Sequence, residues 1–240
     1  MKQSLLYLLF VLISLGCSNK QEGKTDETLT QKVPVEMKKT INESLPTIGI
    51  LIFEGVIMNE VMAPLDVFSK TTPEGASLFN VVIIAKENKT YQSAQGLTIV
   101  PDYTIYNTPE LKVLVVPSSY TPSKQTSDQA LVEFIKKQNQ TTDYIASHCA
   151  GAFLIGETGI ANDKEIVTYV SGGESLQAAY PGLKVADDSQ IAVVEDGKFI
   201  SSNGNLVSYI ASLDLLEKLS SNKQRKYVEK SLLIDRLRDQ

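Results

Sequence analysis

The stretch DYIASHCAGAFLIG, residues 143 to 156, decides how this chain folds, because a short strand pattern runs through a tight turn into a helical pattern. It contains the only histidine of the chain, His148, and one of its two cysteines, Cys149. The Ala-Gly-Ala that follows the cysteine has little side-chain bulk, so the backbone can turn sharply there. The pattern predicts a strand that ends at Cys149 and passes directly into a helix.

Upstream of this stretch, apolar strand patterns alternate with helical patterns. The apolar runs at 47–53, 79–85 and 111–117 predict strands that are covered on both faces. Helices are predicted over 59–70 and over 127–138, the second with Ser127 as its N-cap. Buried strands that alternate with helices predict an α/β fold, a doubly wound sandwich with a mostly parallel sheet and helices on both faces.

Downstream, the strand patterns become shorter and the chain ends in helical segments. Strands are predicted at 165–170, 190–196 and 198–202, the last two joined by an Asp-Gly turn signal. The Gly-rich SGGES is predicted as a loop before the helix ESLQAAY. A long helix is predicted over 205–219 and a charged one follows over 223–239.

The first sixteen residues have the pattern of a signal peptide. An apolar run from Leu5 to Leu15 follows a lysine and is too short to span a bilayer as a stable helix. The small Gly16 precedes Cys17, which resembles the site where bacterial lipoproteins are lipidated. We expect a lipoprotein signal peptide over 1–16 and a lipidated Cys17, which would anchor the protein to a membrane of the bacterial cell envelope, facing the periplasm or the exterior. The alternative is an ordinary signal peptide in which this cysteine is incidental.

Residues 17–46 are predicted to form a disordered tether, because they are polar and nearly free of aromatic residues. From residue 18 to 46 the five basic and five acidic residues balance. This balance and the net charge of −5 argue against a polybasic patch and against nucleic acid as a partner. The remaining residues, 47–240, have the length of one α/β domain with a helical extension at its end.

The position of Cys149 favours a reactive thiol. In parallel sheets, ligands bind at the carboxyl ends of the strands, and this cysteine is predicted at such an end. Free N–H groups at the start of the next helix, and the helix dipole, favour the thiolate. Acylation of Cys17 would leave Cys149 without a disulfide partner. The alternative is a buried cysteine with a purely structural role.

Several segments resemble the ThiJ/PfpI superfamily, and within it the branch with isonitrile hydratases and the ligand-binding domains of some AraC-type regulators. They are, in chain order, GILIFEGVIMNEVMAPLDVF, SAQGLTIVPDYTI, LKVLVVPSS, ASHCAGAFLIGETGIAND and VVEDGKFISSNGNLVSYIASLDLL. The resemblance spans about residues 47–220. It implies a flavodoxin-like fold related to class I glutamine amidotransferases, and a homodimer, since dimers are common among the relatives.

The resemblance implies roles for Cys149 as nucleophile and Glu60 as its acidic partner. A carboxyl next to a thiolate should have a raised pKa, because two anions repel each other in a poorly solvated pocket. Tyr169 stands where this branch commonly has a histidine, and Ala150 stands where the peptidase members have one. The resemblance therefore supplies no Cys/His dyad.

Two further features bear on the oxyanion site that the resemblance implies. Ser118 and Ser119 replace a Gly-Gly pair whose N–H groups line that site in the family, whereas the N–H of Ala150 is retained. His148 precedes the cysteine on its strand, so it should point to the opposite face and bind a local polar partner.

The sequence leaves two hypotheses open. In the first, Cys149 and Glu60 act on a small electrophile, as a hydrolase, a hydratase or an enzyme of the glyoxalase or deglycase type. In the second, the domain binds a ligand without catalysis or senses oxidation through Cys149. No cofactor and no metal is predicted, because one histidine and one free cysteine make a poor metal site and no phosphate-binding glycine motif is present.

Overall fold

A computed structural model of the chain describes residues 39–238. The predicted signal peptide and Cys17 therefore lie outside the described residues, as does most of the predicted tether. The strands are β1 (Thr47–Ile52), β2 (Asn80–Ala85), β3 (Tyr91–Gln92), β4 (Thr98–Ile99), β5 (Tyr103–Thr104), β6 (Val113–Val116), β7 (Tyr144–His148), β8 (Glu165–Ile166), β9 (Lys184–Val185), β10 (Val193–Asp196) and β11 (Phe199–Ser202). The helices are α1 (Met58–Ser69), α2 (Pro122–Thr126), α3 (Gln129–Gln138), α4 (Gly151–Thr158), α5 (Gly173–Ala179), α6 (Val207–Leu219), α7 (Asn222–Ser231) and α8 (Asp235–Arg238).

Seven strands form the central sheet, in the order β10-β11-β7-β6-β1-β2-β5. All neighbours in this sheet are parallel except β10 and β11 at one edge. Strands β1 and β6 are buried along their whole length, which explains why their sequences are apolar except for Thr47 at the start of β1. The predicted doubly wound α/β fold is confirmed.

The helices pack in two groups on this sheet. Helix α1 packs against α6, which in turn contacts α7 and β11. Helix α4 packs on β6 and β7 and contacts α2 and α3. Because α1 follows β1 and α4 follows β7, the first turns of both helices begin at the carboxyl edge of the sheet. Residues of α1 and of the start of α4 can therefore meet there, although about ninety positions separate them.

Three of the predicted elements differ in the structure. The charged helix predicted over 223–239 is divided into α7 and α8, with Leu233 between them at a positive φ of 59°. Helix α3 is capped by Asp128, whose side chain accepts a hydrogen bond from the Ala130 N–H, so Ser127 is not the N-cap. The predicted strand over 165–170 is only the two residues of β8, because the chain pairs briefly with β9 and then turns away. The remaining residues of that segment pass over the end of β7, where Thr168 binds the backbone of Cys149.

Residues 39–46, the last part of the predicted tether, lie against the domain. The Asn80 side-chain amide donates to the carbonyl oxygens of Asn42 and Leu45, at 2.9 Å each. The Tyr103 hydroxyl donates to the Lys39 carbonyl oxygen at 2.5 Å. Within residues 39–238, none of the helices has both the length and the apolar character needed to cross a membrane.

Candidate functional site

Cys149 occupies a strained turn between β7 and α4. Its φ of 53° lies in the left-handed region, which non-glycine residues rarely adopt. The Cys149 N–H donates to the Ser202 carbonyl oxygen at 2.8 Å, and its carbonyl oxygen accepts from the Thr168 hydroxyl at 2.9 Å. Both bonds hold the cysteine backbone in this conformation, and the side chain remains partly exposed. The predicted sharp turn at the strand end is thus present.

The residue after the turn needs to be a glycine for steric reasons. A Cβ on Gly151 would collide with the Val116 carbonyl oxygen and would lie 2.9 Å from that of Pro117. This close approach lets α4 start directly above the end of β6. The first N–H groups of α4 consequently lie beside the cysteine rather than one turn away.

Glu60 lies in the first turn of α1 and is fully buried. Its Oε2 accepts a hydrogen bond from the Ser118 N–H at 2.6 Å, and its Oε1 accepts one from the Asn205 N–H at 3.4 Å. The carboxyl also lies next to the Cys149 side chain. The structure therefore brings together the two residues to which the family resemblance assigned the chemistry.

The pKa values of this pair are both raised. Burial is the main cause of the raised pKa of Glu60, and the hydrogen bonds from Ser118 and Asn205 oppose it. Burial, followed by repulsion from the Glu60 carboxylate, raises the pKa of Cys149 to about 11. The direction predicted for Glu60 is confirmed. The predicted preference for the thiolate at Cys149 is wrong, because the N–H of Ala150 beside the sulfur does not offset these two effects.

Ser118 and Ser119 differ in what they contribute. The Ser118 N–H is committed to Glu60, so it is not a free donor for an oxyanion. Its buried hydroxyl has no hydrogen-bond partner among the described residues, yet it lies close enough to Glu60 and Cys149 to favour their ionised forms. The Ser119 hydroxyl instead donates to the Gln125 side chain at 2.6 Å, which ties this loop to α2.

The turn at Gly204 and Asn205, which follows β11, forms another wall of the site. Both residues have positive φ, 86° and 49° respectively. A Cβ on Gly204 would lie 2.5 Å from Glu60 Oε1 and closer still to the Cys149 Cβ. Sequence reasoning missed this turn as part of the site. The Asn-Gly-Asn sequence after the strand was the available signal, but it shows only a turn and not what the turn contacts.

His148 lies behind the cysteine and is almost completely buried. Its Nδ1 is 2.8 Å from the Ser202 hydroxyl oxygen, the local polar partner that strand alternation predicts. Burial lowers the pKa of His148 to about 3, so the imidazole is neutral at physiological pH. The structure thus gives His148 a bond to Ser202, and the acidic partner of Cys149 is Glu60.

Tyr169, which the resemblance places at the position of a histidine, belongs to an aromatic cluster beside α4. Its ring stacks on Phe153 with ring centroids 6.3 Å apart, and Phe153 contacts Tyr180 edge to face. The ring also lies over Gly172. These contacts place Tyr169 next to the helix that starts at the cysteine. Across residues 39–238, no group of three or more His, Cys, Asp or Glu side chains is arranged to hold a metal ion.

Comparisons with known proteins agree with this fold. The sequence model of the DJ-1/PfpI family matches residues 46–218. An isonitrile hydratase from Pseudomonas putida is 26% identical over 172 residues, which covers 72% of this chain and 71% of the relative.

Two solved structures show the same fold at lower identity. A ThiJ/PfpI family protein from Pseudomonas syringae superposes with a TM-score of 0.70 at 20% identity. The superposition covers 90% of this chain and 84% of the Pseudomonas syringae chain. An AraC family transcriptional regulator from Pseudomonas putida superposes with a TM-score of 0.67 at 18% identity, over 78% of this chain and 99% of the other.

Proposed function

This chain belongs to the DJ-1/PfpI family, and from its Cys149–Glu60 pair we propose that it is a cysteine-dependent enzyme for small electrophiles such as aldehydes, amides or isonitriles. A single observation carries the proposal: Cys149, a partly exposed residue on a strained turn, lies next to a fully buried carboxyl with a raised pKa. A raised pKa makes the carboxylate a stronger base near neutral pH. The pair is therefore suited to moving one proton.

In the proposed reaction, the Cys149 sulfur forms a bond to the electrophilic carbon while its proton passes to the Glu60 carboxylate. One π bond at that carbon breaks, and its electron pair then takes up the proton from Glu60. The high pKa of the Cys149 thiol means that this proton is present at neutral pH and must be removed during the attack. The N–H of Ala150 lies beside the sulfur, where it can stabilise developing negative charge.

Loss of the thiol should abolish turnover. We expect Cys149→Ser to lower kcat/KM by about 1000-fold or more, and Glu60→Gln by about 100-fold, on a panel of small aldehydes, amides and isonitriles. Glu133→Gln is the matched control for the second change, because Glu133 is exposed on α3. Turnover that survives Cys149→Ser at the wild-type rate would refute the proposal.

The charge of Glu60 should affect the pKa of the Cys149 thiol. Because the Glu60 carboxylate raises the pKa of Cys149, Glu60→Gln should lower this pKa from about 11 by on the order of one unit. The rate of iodoacetamide alkylation against pH, in a Cys17→Ser background, reports on Cys149 alone, since the chain has two cysteines. An unchanged or higher pKa in the Gln variant would show that Glu60 is protonated and donates to the sulfur.

The same titration tests the second candidate function, an oxidation sensor. Ser118 Oγ and the Ala150 N–H could bind the oxygens of an oxidised sulfur, which favours a sensing role as the second candidate. At a pKa of about 11, however, only about one thiol in ten thousand is ionised at pH 7, and the thiolate is the form that reacts with peroxide. A wild-type pKa below about 8.5 would instead make the sensor as well supported as the enzyme, because the thiolate reacts with peroxide and with electrophilic substrates alike.

We further propose that the protein is exported and anchored to a membrane of the cell envelope through lipid on Cys17. The support is the sequence alone: a short apolar run, a small residue and then the cysteine. Growth of the producing bacterium with an alkyne fatty acid should label the wild-type protein and not Cys17→Ala, with Cys149→Ala labelled like the wild type. Label that is retained in the Cys17→Ala protein would refute the anchor.

A further inference from the structure

Two buried polar side chains lie one layer behind the cysteine and are not used by the proposed reaction. His148 ends β7 and Ser202 ends β11, and the two are register partners in neighbouring parallel strands. Both are at most 1% exposed, and His148 Nδ1 is 2.8 Å from Ser202 Oγ. Burying two polar side chains costs free energy of folding unless they are hydrogen-bonded. We therefore ask what this pair does beside the site.

The Ser202 hydroxyl connects the histidine to the wall of the site. Its oxygen accepts a hydrogen bond from the Gly204 N–H at 3.2 Å. The hydroxyl hydrogen is then available to His148 Nδ1, which puts the imidazole hydrogen on Nε2, a buried atom with no hydrogen-bond partner among the described residues. If Nδ1 donated instead, the hydroxyl hydrogen would lose its acceptor among the described residues. The geometry therefore favours a chain in which the Gly204 N–H donates to Ser202 and the Ser202 hydroxyl donates to His148.

The turn that this chain holds is the one that contacts the reactive pair. Gly204 packs so tightly against the cysteine and Glu60 that a Cβ would not fit. The next residue, Asn205, donates its N–H to Glu60 Oε1 at 3.4 Å. This bond is one of the interactions that oppose the raised pKa of Glu60. A small shift of the turn would lengthen it, because 3.4 Å is already near the limit for a hydrogen bond.

We propose that His148, acting through Ser202, is a positioning residue that holds the Gly204–Asn205 turn against Glu60 and so keeps the Asn205 N–H on the carboxyl. His148 itself makes no hydrogen bond to Glu60 or Cys149. This role rests on the proposed function for its purpose, since it adjusts the group that accepts the thiol proton. The hydrogen bonds through which His148 holds the turn do not depend on any substrate.

The pKa of Glu60 is the quantity to measure, by ¹³C NMR of glutamate-labelled protein with the Glu60 signal assigned from its loss in Glu60→Gln. We expect Ser202→Ala and His148→Leu each to raise this pKa by about half a unit to one unit, because the Asn205 hydrogen bond weakens. The double variant should shift no further than either single one, as members of one chain do not add. His148→Asn should stay near wild type, because its side-chain oxygen can accept from Ser202.

Ser208→Ala is the matched control, because Ser208 is a fully buried serine on α6 whose hydroxyl has no partner among the described residues. It should leave the pKa of Glu60 unchanged. The proposal is overturned if Ser202→Ala leaves that pKa unchanged, or if Ser208→Ala shifts it equally. If Ser202→Ala does not fold, the comparison of His148→Leu with His148→Asn gives the same decision. The titration of Glu60 needs no substrate. A protein that fails the activity assay would therefore count against the proposed function, and the pKa shifts would still test the role of His148.

Discussion

Gly204→Ala is expected to destabilise the protein by about 2 to 4 kcal/mol and to open the site. The new Cβ would lie 2.5 Å from Glu60 Oε1 and even closer to the Cys149 Cβ, and the φ of 86° is unfavourable for alanine. The turn must therefore move outward. Because burial is the main cause of the raised pKa of Cys149, this movement should lower that pKa and speed alkylation at pH 8.

Urea unfolding and the iodoacetamide rate measure these two effects. Gly75→Ala is the control, because Gly75 has a similar φ of 88° and no atom within 4 Å of the added Cβ. It should cost only about 1 kcal/mol, from backbone strain alone, and leave alkylation unchanged. Equal losses of stability in the two variants would mean that the turn does not pack against the reactive pair as described.

Acid is expected to destabilise the folded protein through His148. Its pKa is about 3 in the folded state and about 6.5 when exposed, so the unfolded state binds more protons between these values. The contribution of the neutral imidazole to the free energy of unfolding is fully present above pH 6.5 and is lost as the pH falls towards 3. The shift corresponds to about 4 to 5 kcal/mol over this window.

The free energy of unfolding from pH 7 to pH 3.5, compared between wild type and His148→Asn, isolates this effect. Glu60 has a raised pKa and contributes with the opposite sign, but it is present in both proteins and cancels in the difference. The wild-type curve should fall more steeply than that of the variant. Because the chain has one histidine, its imidazole NMR signal should also show no protonation above pH 4. Parallel stability curves would refute the assignment.

The sequence predicted the elements whose patterns are long and local. The buried runs at 47–53 and 111–117 appear as β1 and β6, because strands covered on both faces must be apolar throughout. The helix predicted over 205–219 appears as α6, Val207–Leu219. Elements of two residues, such as β3 and β9, were out of reach, since so few side chains show no period.

The N-cap of α3 shows a finer limit. Ser127 and Asp128 are neighbours and both are good capping residues, so composition alone does not choose between them. Asp128 is the cap, and its carboxylate also pairs with Lys86, which follows β2. A contact between distant parts of the chain thus accompanies the choice at the end of this helix.

By itself, the sequence determined the alternation of strands and helices, and it placed Cys149 at the end of a strand before small residues. Those features depend on neighbours along the chain. Only the tertiary structure decided the hydrogen bonds and the pKa values of the site. Glu60 accepts hydrogen bonds from the N–H groups of Ser118 and Asn205, and burial raises the pKa of Cys149 instead of lowering it. Desolvation and close contact depend on which distant residues surround a group, and no local pattern records them.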